Sequence, residues 1–196
     1  MYKKMIAILG SAATAAALLS LGSNAAMATT FTVSPAGAVT ATQSGNSTLK
    51  DNTTNNTLTC TGGGAKATLS ASSNGSPIGT IGTLTYSGCT GPLNLSFKVT
   101  ANSLPYNLNV TSFNSGTGVS TGTITGINAA LSGPGCTATV KGTVDASYSN
   151  STGNLTVSPN GSALTVTAAS CFGIIATGNV VNYNAVYSIS PKQTIT

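Results

Sequence analysis

The side chains that ordinarily do acid–base chemistry are almost missing from this chain of 196 residues. There is no histidine, glutamate or arginine, and the only side-chain carboxylates are Asp51 and Asp145. Without an imidazole there is no Ser-His-Asp triad and no histidine-ligated metal. A two-carboxylate glycosidase would have to use Asp51 and Asp145 as its pair. Asp51 follows Lys50 in a polar stretch and reads as a solvated turn residue. Asp145 lies between Val144 and Ala146 and points to solvent if Val144 faces a core. Neither sits in a motif that would bring the two together.

Two serine motifs match by pattern. Ser47-Thr48-Leu49-Lys50 fits S-x-x-K, in which the lysine activates the serine, but its companion S-D-N and K-T-G motifs are absent. Gly118-Val119-Ser120-Thr121-Gly122 fits G-x-S-x-G, yet a nucleophile elbow needs a strand-to-helix turn and a base. With 25 serines and 23 glycines in the chain, both matches are expected by chance. The run Gly62-Gly63-Gly64 before Ala65-Lys66-Ala67-Thr68 lacks the G-x-x-x-x-G-K-[ST] order of a phosphate loop and reads as a hairpin connection. No catalytic residue is assigned.

The four cysteines, Cys60, Cys89, Cys136 and Cys171, have no C-x₂₋₄-C spacing, so no metal site is assigned, and an even number points to two disulfides. Three connectivities are open. The two halves of the chain echo each other: a Cys, then a strand (Ala67-Thr68-Leu69 or Ala138-Thr139-Val140), a turn, a second strand, and a Cys after Ser87-Gly88 or after Ser170. That echo favours Cys60–Cys89 and Cys136–Cys171. Aromatic side chains could stack on sugars. Most lie in phase with apolar neighbours and read as core; Tyr106, after Pro105 at a strand start, and Phe172, after a cysteine, are the candidates for a binding surface.

The elements that must position these residues are strands. Lys3 and Lys4, an apolar run from Met5 to Leu21 and the small-x-small site Ala26-Met27-Ala28 have the order of a secretory signal peptide cleaved after Ala28, residues 1–28. Residues 29–196 then form one β domain carrying five lysines against two aspartates. Those lysines are too few and too dispersed for nucleic-acid binding. Leu93-Asn94-Leu95-Ser96-Phe97-Lys98-Val99-Thr100 alternates apolar and polar, as do Tyr106–Thr111, the set Ala138, Val140, Val144, Ala146 and Tyr148, the set Leu164, Val166 and Ala168, and the set Tyr183, Ala185, Tyr187 and Ile189. Gly142 interrupts one of these faces, which marks a bulge. Asn74-Gly75, Gly116-Thr117-Gly118, Gly133-Pro134-Gly135 and Pro159-Asn160-Gly161 read as turns. Residues 43–57 read as an exposed loop or edge hairpin. The sum is an all-β, single-domain β-sandwich or irregular barrel of roughly ten to twelve short antiparallel strands with two disulfides.

Several segments together resemble a group of small secreted actinobacterial proteins of unknown function. They are Phe31-Thr32-Val33-Ser34-Pro35, Cys89-Thr90-Gly91-Pro92-Leu93 running into Phe97–Thr100, Gly118–Ile127, Leu131-Ser132-Gly133-Pro134-Gly135-Cys136 and the tail Ser190–Thr196. The resemblance implies export and a disulfide-bearing β fold, and carries no site residue. The expectation is a non-enzymatic secreted or cell-envelope protein, structural or surface-exposed, without a cofactor. A cell-wall or extracellular glycan is the partner class to consider. The alternatives are a pore-forming β-barrel of an outer lipid layer, a carbohydrate-binding module and an extracellular hydrolase.

Overall fold

The computed structural model describes residues 30–196, apart from the side chains at 72 and 158–163. The expected signal peptide lies outside the described residues. Thirteen strands follow in order: β1 (Phe31–Ser34), β2 (Gly37–Gln43), β3 (Ser47–Asp51), β4 (Thr57–Leu69), β5 (Ser72–Ser73), β6 (Gly79–Thr90), β7 (Ser96–Ala101), β8 (Tyr106–Asn114), β9 (Val119–Gly133), β10 (Cys136–Ser149), β11 (Asn154–Ser170), β12 (Val180–Ser190) and β13 (Thr194–Ile195). Among the described residues, one 3₁₀ turn, Pro92–Asn94, precedes β7.

Ten of these strands close into an antiparallel barrel. β2 and β3 succeed one another along β4 on one side and β12 on the other. β7 and β8 likewise succeed one another between β6 and β9. The ten strands therefore occupy eight positions, visited in chain order, and β12 returns to pair with β2 and β3. Closure removes most of the sheet's edges, which suits a sheet with few charges to protect them; the exception is the seam between β6 and β7/β8, where residues 82–88 of β6 pair with β4 alone. Of the two architectures the sequence allowed, the chain adopts the barrel.

Alternation decides which way each residue faces. Along β10, Ala138, Val140, Val144 and Tyr148 are buried while Thr137, Lys141 and Asp145 are exposed. Val157, Leu164, Val166, Val181, Ala185 and Tyr187 extend the same interior. The register slips between Gly142 and Val144, so the bulge expected at Gly142 is there. Its φ of 142° is available to glycine without strain.

Three segments depart from what their residues lead one to expect. Gly62-Gly63-Gly64 is not a hairpin connection but the middle of β4, paired with β6 across Gly62↔Ser87, Gly63↔Tyr86 and Gly64↔Thr85. A Cβ on Gly63 would meet the Thr85 carbonyl at 2.7 Å and Gln43 Oε1 at 2.8 Å. The glycine makes room for Gln43, whose amide donates to the carbonyls of Gly45 and Cys60 and spans the break between β2 and β3. Residues 43–57 are not a free loop, because they contain β3, paired on both sides. Pro159-Asn160-Gly161 lies within β11, at a register shift, rather than between strands.

One end of the barrel is plugged. β1 pairs with β13 and β5 in a small sheet. Phe31, Val33, Ile78, Tyr148 and Ile195 pack there into a second core. The other end carries the loops 52–56, 91–95, 134–135 and 171–179, and both disulfides stand at it. Cys60 and Cys89 face each other across β4 and β6, and Cys136 bonds Cys171 beside the Thr137↔Ser170 pair of β10 and β11. No free cysteine is left. The two bonds link the second and third positions of each four-strand half, which is the structural form of the sequence echo.

Backbone approach sets a local test. A Cβ at Gly122 in β9 would fall 1.9 Å from the Asn109 carbonyl oxygen, whereas one at Gly82 in β6 meets nothing within 4 Å. Gly122→Ala is expected to destabilise by about 2 kcal/mol or more, since main chain must move. Gly82→Ala is expected to be neutral or to stabilise by up to about 1 kcal/mol through loss of unfolded-state freedom. Paired denaturant titrations check both.

Candidate ligand cavity

The interior contains a cavity of about 170 Å³. Its walls are almost wholly apolar, with Leu84, Ile124, Val144, Val157 and Leu164 among them. The size exceeds that of an engineered apolar cavity of about 150 Å³ known to stay dry and to bind benzene. The outer surface has the opposite character. Thr83, Thr85, Lys98, Thr100, Thr121, Thr165, Thr167 and Ser188 all point to solvent. A membrane-spanning barrel needs an apolar band outside and a polar interior. Here the two faces are reversed.

Within this apolar lining sit a few polar groups. Tyr86 of β6 and Tyr183 of β12 come from strands three positions apart and meet edge to face, with ring centroids 6.3 Å apart. The Tyr183 and Tyr187 hydroxyls are 2.6 Å from each other. Burial pushes all three phenols above their usual range, with Tyr187 adding to the shift at Tyr86 and Tyr86 to that at Tyr183. The cluster stays neutral at any physiological pH and offers hydroxyls, not charges. Towards the plugged end, Tyr148 donates to the Gln193 carbonyl and accepts from the Gln193 N–H, both at 2.9 Å.

At the open end a polar clamp joins two loops. Asp51, at the end of β3, is 2% exposed. Its Oδ1 accepts from the main-chain N–H groups of Thr53 at 2.7 Å and Thr54 at 3.1 Å, and its Oδ2 accepts from the Asn179 amide. Burial works to raise its pKa, but these donors, Asn179 foremost, outweigh it and the carboxyl is held below its usual value. Thr54 Oγ1 and Asn56 Nδ2 both donate to the Ile174 carbonyl, at 2.9 and 2.8 Å. Ile174 and Ile175 thereby rest against the core. A pocket of about 40 Å³ between Asp51, Asn56, Pro92, Phe97, Ile174 and Ile175 lies over this end.

The structure disperses the residues that could have formed a hydrolase. Asp51 is a buried clamp rather than the solvated turn residue expected, and Asp145 is exposed on the outside of β10. Ser47 points inward and Lys50 outward, because residues three apart on a strand take opposite faces. Ser120 is 2% exposed and lines the cavity, on a strand rather than an elbow. Among the described residues, no three His, Cys, Asp or Glu side chains gather.

Of the two candidate binding aromatics, Tyr106 is misplaced by the sequence reading. It is 2% exposed, with its hydroxyl bonded to the main chain of Asn128, because β8 enters the barrel wall at this residue and its inward phase starts there. Phe172 is 92% exposed at the open end, its ring over Gly135, and Leu93 across the rim is 89% exposed. Both have left-handed backbones, φ 44° and 59°, an uncommon and costly state for such residues. Phe172→Ala is expected to leave the melting temperature within about 2 °C, since an exposed ring contributes little to the fold; a thermal melt checks it. The cavity was not visible in the sequence. Its walls combine Ala and Val with Leu, Ile and Tyr, the same inward residues that a filled core would carry.

A family model described as alkane oxidation protein activator PraA/PraB-like matches residues 3–196. No curated protein and no solved structure matches the chain.

Proposed function

We propose, from the premise that the chain belongs to the PraA/PraB-like alkane oxidation protein activators, that it is a non-enzymatic exported protein whose barrel holds a small apolar molecule. In the service the family description names, it would carry a hydrocarbon-derived molecule to or from the machinery that oxidises alkanes. One observation carries the reading. The barrel is polar outside and apolar inside, and the inside contains an apolar-walled cavity of about 170 Å³. Eight-stranded barrels are wide enough to hold one small ligand. By comparison with benzene in a slightly smaller cavity, the space suits roughly six to eight carbon atoms. The reversed polarity speaks for this reading over a lipid-embedded pore. The dispersal of Ser47, Lys50, Asp51 and Asp145 speaks for it over a hydrolase.

Export is part of the proposal. It is supported by the order of residues 1–28 and by a fold braced with two disulfides, which persist in oxidising compartments. The exposed Leu93 and Phe172 favour a second, compatible role, in which the open rim touches an apolar surface. Melting the protein in sealed vessels with hexane tests the main reading. Ligand at about 100 times its dissociation constant should stabilise by about 2.7 kcal/mol. An unchanged melting temperature with hexane, cyclohexane and benzene would remove the basis for it.

A further inference from the structure

Three residues that line the cavity carry a buried polar atom without a hydrogen-bond partner among the described residues: Ser47 Oγ and, grouped apart from it, the Ser120 hydroxyl and Gln193 Oε1. Ser120 and Gln193 are 2% and 1% exposed. They belong to one end of the cavity. Ser120 stands directly opposite Tyr148 across β9 and β10, and the Tyr148 hydroxyl is bonded to the main chain of Gln193. The orientation of the Gln193 amide is fixed, because its Nε2 donates to the Pro191 carbonyl at 2.7 Å. That leaves Oε1 as an acceptor. Ser47 sits opposite Cys60 towards the open end.

A buried polar atom left unpaired costs about 1–3 kcal/mol, so such atoms in a native wall call for an explanation. A pure hydrocarbon would leave both unpaired. A carboxylate would set its negative charge against Gln193 Oε1. A hydroxyl fits both: it donates its one proton to Gln193 Oε1 and accepts from the Ser120 hydroxyl. We propose that the cavity is built for a medium-chain alcohol, with its chain among the apolar walls and its hydroxyl at Ser120 and Gln193. This rests on the reading that the cavity is a ligand site. It shifts the ligand from the alkane to the alcohol that oxidation of an alkane yields. The protein would then act on the product side of the reaction and withdraw alcohol from the oxidising enzyme.

Calorimetric or displacement titration of the purified protein with hexane, 1-hexanol and hexanoate tests this. Ser120→Ala removes one polar atom without adding volume. It should weaken 1-hexanol about tenfold, the equivalent of one well-formed hydrogen bond in a dry site, and leave hexane unchanged or slightly tighter. Gln193→Met should do the same and serves if the serine variant does not fold. Hexanoate should bind more weakly than 1-hexanol. Equal effects of the variants on hexane and hexanol, or tighter binding of hexanoate, would overturn the alcohol assignment while leaving the ligand site intact. If none of the three probes binds, both the assignment and the ligand site fall.

Discussion

Replacing Cys60 and Cys89 together by serine should lower the melting temperature by about 7–16 °C, the largest single effect expected in this protein. The bond closes a segment with a sequence separation of 29, and the Cys136–Cys171 bond one of 35. Loops of that size are worth roughly 3.5–4 kcal/mol in the chain-entropy account. For a domain of this length each kcal/mol moves the midpoint by about 2–4 °C. The chain has little in reserve against such a loss. Its inward residues are largely Val, Ala, Leu and Ile, and its 23 glycines raise the entropy to be overcome. Position adds to the effect: Cys60 and Cys89 are 4% and 5% exposed and stand where β4 and β6 meet the open rim. Scanning calorimetry of the oxidised protein and the double-serine variant checks this, and complete reduction should lower the midpoint further than either pair alone. A shift below about 2 °C would place the stability in the barrel closure instead.

The second large effect concerns Asp51. Asp51→Ala should cost about 2–4 kcal/mol, because it removes the acceptor for two main-chain N–H groups and the Asn179 amide in a buried site. Its pH dependence has a definite sign. The folded carboxyl titrates below its unfolded value of about 3.9, so it contributes full stability above that value and loses the contribution as pH falls through the folded pKa. Wild type should therefore exceed the alanine variant by a constant margin at neutral pH. The margin should shrink only below about pH 4. Urea titrations of both proteins from neutral pH to pH 2.5 measure it. A margin that grew on acidification would mean that the carboxyl is raised, not lowered, in the fold. Hydrogen exchange in the variant should also quicken first at residues 52–56 and 171–179, the loops that Asp51, Thr54 and Asn56 tie together.

The sequence made the strand content legible because alternation is a local signal. Val140, Val144 and Tyr148 point the same way whatever the strands around them do, and the spacing of the four cysteines encoded the pairing through the repeated half. Strand length was less legible. Gly62-Gly63-Gly64 carries turn-forming residues, but pairing with β6 holds it in β4, and Pro159-Asn160-Gly161 falls where the register of β11 shifts against both its neighbours. Closure of the barrel depends on β12 finding β2 and β3, a contact between residues nearly 150 apart that no local pattern announces. The same non-locality hid the site. Ser120 and Gln193 come together through Tyr148, and nothing at either position distinguishes these residues from others of their kind. Asp51 was misread because a polar, turn-rich stretch looks the same whether it faces water or folds over the mouth of a barrel.

The central claim is that the interior of the barrel receives an apolar molecule of about six to eight carbons. The most direct measurement follows main-chain amide resonances while cyclohexane is added to the isotopically labelled protein. Saturable shifts are predicted at Leu84, Ile124, Val144 and Leu164, whose side chains line the cavity, with Thr85, Lys141 and Thr165 on the outer face nearly still. Shifts confined to Leu93 and Phe172 at the rim, or none that saturate, would contradict it.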